Sequence, residues 1–209
     1  IEILGNIASG KTTTAHRIAH ISSFAYMDVD VYKKNPFLCL FATNRRRWAF
    51  TNEISFSFER SKKIPQILKQ TEAEPIVLDS GFDMGHFVYA KTGFLGGDMT
   101  EEEWKLLAAM HEKLLTHAPT INAAIFLDVP IDLLMKRMWK RGREFEQDYS
   151  RKYIMDVQAQ IDAYKNDCIA LKKRKIIATY HQVEKELEFH TAEDSKLKKL
   201  FSSLDLEAE

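Results

Sequence analysis

The chain has 209 residues, 45% of them hydrophobic and 29% charged, and its 30 Lys plus Arg balance 30 Asp plus Glu. That composition is ordinary for a folded globular protein and excludes a disordered one. A net charge of zero removes the usual argument for a general nucleic-acid or anionic-membrane binder, and no apolar run approaches the roughly 18 residues that cross a bilayer. The length fits a single domain over residues 1–209. Cys39 and Cys168 have no metal-ligand spacing and read as free thiols of a reducing compartment, so a cytoplasmic location is expected. Ile1 is not a methionine and already sits in an apolar run, so an organelle-targeting segment ahead of it stays open.

Short apolar runs alternate with longer stretches of helical composition. Residues 1–4 form the first candidate strand, followed by a helix over about 10–20. Between them lie Gly5, Asn6, Ile7, Ala8, Ser9, Gly10, Lys11 and Thr12, which match G-x-x-x-x-G-K-[ST] in full. Triphosphate oxygens must meet several backbone N–H groups at once. Glycines let the chain curl close, and the helix offers its N-terminus to the anion. Lys11 is expected to reach the β- and γ-phosphates and the Thr12 hydroxyl to ligate Mg²⁺, with Thr13 completing the nucleotide-binding stretch. The four fixed positions arise by chance in roughly 1% of chains this long, so the motif is strong evidence for phosphate binding.

A second strand at 24–27 runs into Asp28 and Asp30, and a helix follows over about 46–70, ended or kinked by Pro65. Trp48, Phe50, Phe56 and Phe58 share that helix; most belong to packing, with one or two lining an acceptor pocket. The third strand, 76–78, leads into Asp79. Gly93, Gly96 and Gly97 mark a flexible loop before a helix over about 100–117, whose Thr100 and three glutamates read as an N-cap and acidic first turn. The fourth strand, 123–127, ends at Asp128, and a helix follows over about 130–141. A helix over about 150–172, a fifth strand at 176–179 and a charged stretch from Glu184, read as a solvated helix with a frayed end, complete the pattern. Strands alternating with helices imply a parallel five-stranded α/β sheet covered on both faces. In such sheets ligands bind beyond the carboxyl ends of the strands, where these aspartates sit. Aspartate also simply terminates strands and caps helices.

Residues 136–143 read Lys-Arg-Met-Trp-Lys-Arg-Gly-Arg. Arg137 and Arg141 share a helix face, Gly142 ends the helix and Arg143 follows on the turn. A basic run alone is usually a solvated face. Beside an intact phosphate loop, a lid over about 137–149 that closes on a transferring phosphoryl group is the better account.

Taken together, the loop GNIASGKTT, the stretch from Asp30 through Asn35, Pro36 and Phe37 to Leu38, the segments Arg47-Trp48-Ala49-Phe50 and Phe87-Val88-Tyr89-Ala90-Lys91, and the lid from Arg137 to Gln147 resemble the deoxynucleoside kinase family. The resemblance implies a P-loop kinase fold, ATP or a related triphosphate as donor, Mg²⁺, and transfer to the 5′-hydroxyl of a nucleoside by a homodimer, with no nucleic-acid or membrane partner. It implies Asp30 as general base, one methylene shorter than the family's usual glutamate. It also implies Glu146 at the sugar 3′-hydroxyl, Tyr89 and Trp48 at the acceptor, and Arg137, Arg141 and Arg143 at the phosphates. Asp79 is expected to orient a Mg²⁺-bound water.

The chain departs from the family where the acceptor binds. An acid-Arg-Ser triplet is replaced by Asp79-Ser80-Gly81, a tyrosine aligns with Ala42, a glutamine with Glu53 and an aspartate with Gly85. An ionised glutamate only accepts hydrogen bonds, so Glu53 needs a base edge with two adjacent donors; guanine has one, and Gly85 leaves room for a purine. The expectation is therefore a guanine-type acceptor. A P-loop kinase for another small acceptor, such as a nucleotide or a modified nucleoside, and a non-catalytic assembly subunit of the same fold are the alternatives.

Overall fold

A computed structural model describes residues 1–29, 31–174, 176–181 and 199. Strand β1 (Glu2–Gly5) leads through the glycine loop into α1 (Lys11–Ser22), and β2 (Ala25–Asp28) follows. A short 3-10 turn (Tyr32–Lys34), α2 (Leu38–Thr43), α3 (Arg45–Ser61) and α4 (Ile64–Thr71) precede β3 (Ile76–Asp79). Next come α5 (Phe82–Met84), a π-helical stretch (Gly85–Ala90), α6 (Lys91–Leu95) and α7 (Glu101–Leu115). Strand β4 (Ala123–Asp128), α8 (Ile131–Arg141), a 3-10 turn (Glu144–Glu146), α9 (Arg151–Ala170) and β5 (Ile176–His181) complete the described elements.

The five strands form one sheet in the order β2-β3-β1-β4-β5, every pair parallel. This is the sheet expected from the alternation of apolar runs. β1 and β3 are buried along their whole length, as central parallel strands must be. Alternate residues face opposite layers: Val77 joins a large core with Ile3, Leu4, Phe126, Ile154, Val157 and Ile161, while Ile76 and Leu78 join a smaller one with Ile64, Ile67 and Phe82.

Local chemistry sets the boundaries. Thr100 and Glu103 form a reciprocal capping box at the start of α7. The long helix expected over 46–70 is two helices. The break comes at Lys62 and Lys63, and Pro65 stands in the first turn of α4, where its missing N–H does no harm. Of the loop expected at Gly93, Gly96 and Gly97, the last two lie in the turn between α6 and α7, but Gly93 is inside α6, packed close to the Met99 methyl group, at the end of a helical course over residues 82–95. The stretch from Glu184 lies outside the described residues apart from Lys199. Among the described residues, no helix is long and apolar enough to cross a membrane.

Candidate active site

The glycine loop sits at the carboxyl end of the central strand, beside Asp79, which pairs with Ile3 and Asp28 in the sheet register. Gly10 takes φ +91° just before α1, and Ala8 takes φ +61°, a left-handed conformation unusual for a residue with a side chain. Asn6 ties the loop to α9: its Nδ2 donates to the Ile154 carbonyl at 3.0 Å and to Gln158 Oε1 at 3.1 Å. Its Oδ1 accepts from the Ile7 N–H at 2.7 Å. Lys11 Nζ donates to the carbonyls of Gly5 (3.1 Å) and Asn6 (3.0 Å), folded back over the loop it serves. The Ser9 hydroxyl is buried with no partner among the described residues, an orphaned polar group that a phosphate would satisfy.

One cavity of about 300 Å³ joins this loop to the acceptor side. Ile7, Ala8, Ser9, Gly10, Lys11, Thr12 and Thr13 line one end, and Arg141, Arg143 and Glu146 also belong to the lining. Glu146 is 2% exposed and gathers both arginines. Arg141 Nε donates to Oε2 at 3.0 Å and its Nη2 to Oε1 at 2.5 Å, while Arg143 Nη1 reaches Oε1 at 3.4 Å. The Arg143 guanidinium also lies 4.0 Å over the Tyr32 ring, and Arg137 Nη1 reaches the Ser9 carbonyl at 3.5 Å.

The far end is lined by Glu53, Arg60, Phe56 and Tyr89. Glu53 and Arg60 stand two turns apart on α3, both 5% exposed. A chain of amides orients the carboxylate: Asn35 Nδ2 donates to Asn52 Oδ1 at 2.8 Å, and Asn52 Nδ2 donates to Glu53 Oε1 at 3.1 Å. Burial pushes the Glu53 carboxyl up, against the Arg60 charge and the Asn52 hydrogen bond, to about 7. Arg60 rests 5.3 Å from the Phe56 ring, and its Nε is buried without a partner among the described residues. A side chain at position 85 would overlap the Arg60 guanidinium. Gly85 therefore makes room for an arginine, not directly for a purine as the sequence suggested.

Most of the expected site residues meet in this cavity, but not all. Trp48 is absent from its lining; it stacks on Phe37 at 5.7 Å under the Arg47 guanidinium, and Phe56 is the α3 aromatic that faces the acceptor. Asp79 is 1% exposed behind the loop; its Oδ2 accepts from the Tyr26 hydroxyl at 3.2 Å and its Oδ1 is buried without a partner among the described residues. Asp30 lies outside the described residues. Ser80, where the family's arginine is missing, lines the cavity at φ +71°. Sequence reasoning missed Arg60, although its spacing of seven from Glu53 puts both on one face of a helix. Among the described residues, no group of three or more His, Cys, Asp or Glu is arranged to hold a metal by itself.

The deoxynucleoside kinase family profile matches residues 1–204. This chain belongs to the deoxynucleoside kinase family. It is accordingly a phosphotransferase acting on nucleosides. A deoxyguanosine kinase of Bacillus subtilis (strain 168) is 24% identical over 156 residues, covering 74% of this chain and 72% of that protein. A deoxyadenosine/deoxycytidine kinase of the same organism is 25% identical over 185 residues, covering 83% and 81%. Among solved structures, a deoxyadenosine kinase from M. mycoides with bound dCTP superposes with a TM-score of 0.76 at 16% identity, covering 97% of this chain and all of that one. That likeness shows the P-loop kinase fold.

Behind the site, a buried polar network ties the sheet to the acceptor wall. Asp83 accepts from the Tyr164 hydroxyl (2.6 Å) and Arg174 Nη2 (3.0 Å), and lies 3.0 Å from His111 Nε2. Burial would raise its carboxyl, but the His111 and Tyr164 hydrogen bonds and the charges of His111 and Arg174 outweigh that and hold it at about 2. Arg174 Nε also donates to Glu2 Oε1 at 2.8 Å. Burial nevertheless pushes the Glu2 carboxyl up to about 7. His86 stacks between Trp104 and His111, and burial with the neighbouring His111 lowers it to about 4.

Proposed function

We propose that the chain transfers a phosphoryl group from ATP to the 5′-hydroxyl of a guanine-type deoxynucleoside. The observation that carries this reading is the pairing of Glu53 and Arg60 on one wall of the cavity whose other end is the phosphate loop. Guanine offers O6 as an acceptor beside N1–H and N2–H₂ as donors. A carboxylate can take both donors while an arginine donates to the oxygen. Adenine, cytosine and thymine each place an acceptor against the carboxylate.

In this reading the loop amides, Ser9 and Lys11 hold the β- and γ-phosphates. Arg137, Arg141 and Arg143 gather over the transferring group, and Asp30 takes the proton of the attacking hydroxyl. Asp79 Oδ1, buried without a partner among the described residues, and the Thr12 hydroxyl at the loop suit a Mg²⁺ ion, and those two residues would hold it. When bound, the ion neutralises phosphate charge. Tyr89 packs on the base and Glu146 accepts from the sugar. The rate enhancement comes from positioning and electrostatics.

The test is transfer from ATP, in the presence of Mg²⁺, to each of the four common deoxynucleosides. Deoxyguanosine is expected to give the highest kcat/KM. Equal use of deoxyguanosine, deoxyadenosine and deoxycytidine would overturn the base assignment, and no transfer to any nucleoside would overturn the acceptor class.

A further inference from the structure

Arg141 and Arg143 line the same cavity but are held in different ways. Arg141 is held by its edge: Nε donates to Glu146 Oε2 at 3.0 Å and Nη2 to Oε1 at 2.5 Å, so the N–H groups on that side are committed to a carboxylate. Arg143 is held by its face. Gly142 ends α8 at φ +65°, Arg143 follows in extended backbone, and its guanidinium lies 4.0 Å over the Tyr32 ring. Its contact with Glu146 is a single long N–H donation at 3.4 Å. Every N–H of a guanidinium lies in its plane, so stacking on a ring fixes the group and uses none of them.

The ring under Arg143 belongs to a well-anchored turn. Tyr32 opens the 3-10 turn after β2; Val31 before it is buried, and the Asn35 N–H donates to the Tyr32 carbonyl at 3.2 Å. Asn35 is tied in turn to α3, its Nδ2 donating to Asn52 Oδ1 at 2.8 Å. Tyr32 is half-buried and lines the cavity, with the Phe145 ring 6.1 Å from its own. Lys33 Nζ stands 5.9 Å from the same ring, at the outer limit of a cation–π contact, so Arg143 is the cation that the ring holds closely. A long arginine side chain loses much rotamer freedom when it engages a phosphate. A ring that already carries its face removes part of that loss beforehand.

We propose that Tyr32 is a positioning residue for phosphoryl transfer: its ring carries the face of Arg143 and leaves the guanidinium edge for the oxygens of the transferring group. The inference rests on the kinase reading of this cavity and adds to it an aromatic residue to which that reading gives no part. What is required at position 32 is an aromatic face and not a hydroxyl.

The test is a double-mutant cycle on kcat. Tyr32→Leu and Tyr32→Met, which keep apolar bulk without an aromatic face, are expected to lower kcat about five- to tenfold while the KM for the deoxynucleoside stays within about threefold. Tyr32→Phe is expected to restore transfer to within about twofold of the wild type. Arg143→Ala should lower kcat by more than any of these, and adding Tyr32→Leu to it should cost no more than about a further twofold, because the ring then has no guanidinium to hold. An unchanged kcat in Tyr32→Leu, an equal loss in Tyr32→Phe, or losses that multiply in the double variant would each overturn the assignment. Failure of both Tyr32→Leu and Tyr32→Met to fold, read from thermal melts, would assign the ring to the fold alone and overturn it as well. A wild type that transfers phosphate from ATP to none of the four common deoxynucleosides would instead overturn the kinase reading, and this inference with it.

Discussion

The two ends of the cavity are built by different means. The proposed phosphate end is a contiguous loop, residues 5–13, which offers largely backbone amides, with Arg141, Arg143 and Glu146 from a single short segment beside it. The acceptor end is assembled from side chains on α3, the loop after β3, the π-helical stretch and the start of α9. A backbone cradle tolerates few changes because glycine geometry defines it. A side-chain pocket can be rewritten one residue at a time, and Ala42, Glu53, Ser80 and Gly85 are where the sequence departs from the pattern it otherwise resembles. The comparison implies that changes at the two ends separate: the first should abolish transfer, the second should redirect it.

The largest effect is expected at Lys11. Lys11→Ala should reduce transfer by about 10³-fold or more while leaving the melting temperature nearly unchanged, since the side chain serves phosphates and not a core. Steady-state kinetics alongside a thermal melt checks both halves of that statement. Asp30→Asn comes next, with kcat expected to fall by about 10²-fold and donor binding retained. A normal kcat in that variant would assign the base elsewhere.

At the acceptor end the effects should appear as ratios. The buried Glu53 carboxyl, raised to about 7, is an acceptor pair only when ionised. Below that pH it carries a proton and can both donate and accept, which suits the N6–H and N1 edge of adenine. The preference for deoxyguanosine over deoxyadenosine should therefore grow as pH rises from about 6 to 8. A ratio flat across that range would sever specificity from Glu53.

Stability should run the other way. Asp83, held at about 2, contributes stability above the ordinary carboxylate value of 3.8 and loses it as pH falls toward 2. Glu2 and Glu53 are raised from 4.5 to about 7, so the stability linked to their protonation is complete below 4.5 and lost as pH rises through 7. The melting temperature should peak in mildly acidic solution, below the pH at which guanine selectivity is greatest. Asp83→Ala, which leaves Arg174 only Glu2 as a carboxylate partner and takes away the acceptor of the Tyr164 hydroxyl, should cost about 3 kcal/mol in chemical denaturation. The smallest effect belongs to Ala8→Gly: relieving a left-handed alanine should stabilise the protein by up to about 1 kcal/mol.

The sheet, the glycine loop and the arginine-bearing helix end were legible because each is local. Apolar runs give the strands, glycine spacing gives the loop, and arginines four apart give a shared helix face. What was not legible depends on residues that meet only after folding. Asp83 and His111 are 28 positions apart, and Asn6 and Gln158 are 152 apart, so no spacing rule joins them. Trp48 was read toward the acceptor because its segment resembles the family's, yet stacking on Phe37 turns it away. The helical course of residues 82–95 was masked by Gly93, whose place near the Met99 methyl is a packing requirement and not a turn. Gly85 was read as space, but space beside α3 was already claimed by Arg60, seven residues beyond Glu53.

The most direct test of a retained donor end and a rewritten acceptor end is kinetic: kcat/KM for deoxyguanosine and deoxyadenosine, with the KM for ATP, in the wild type and in Glu53→Gln at about pH 8. The deoxyguanosine-to-deoxyadenosine ratio should fall by about tenfold or more in the variant while the KM for ATP stays within about twofold. An unchanged ratio, or a KM for ATP that shifts along with it, would contradict the separation of the two ends.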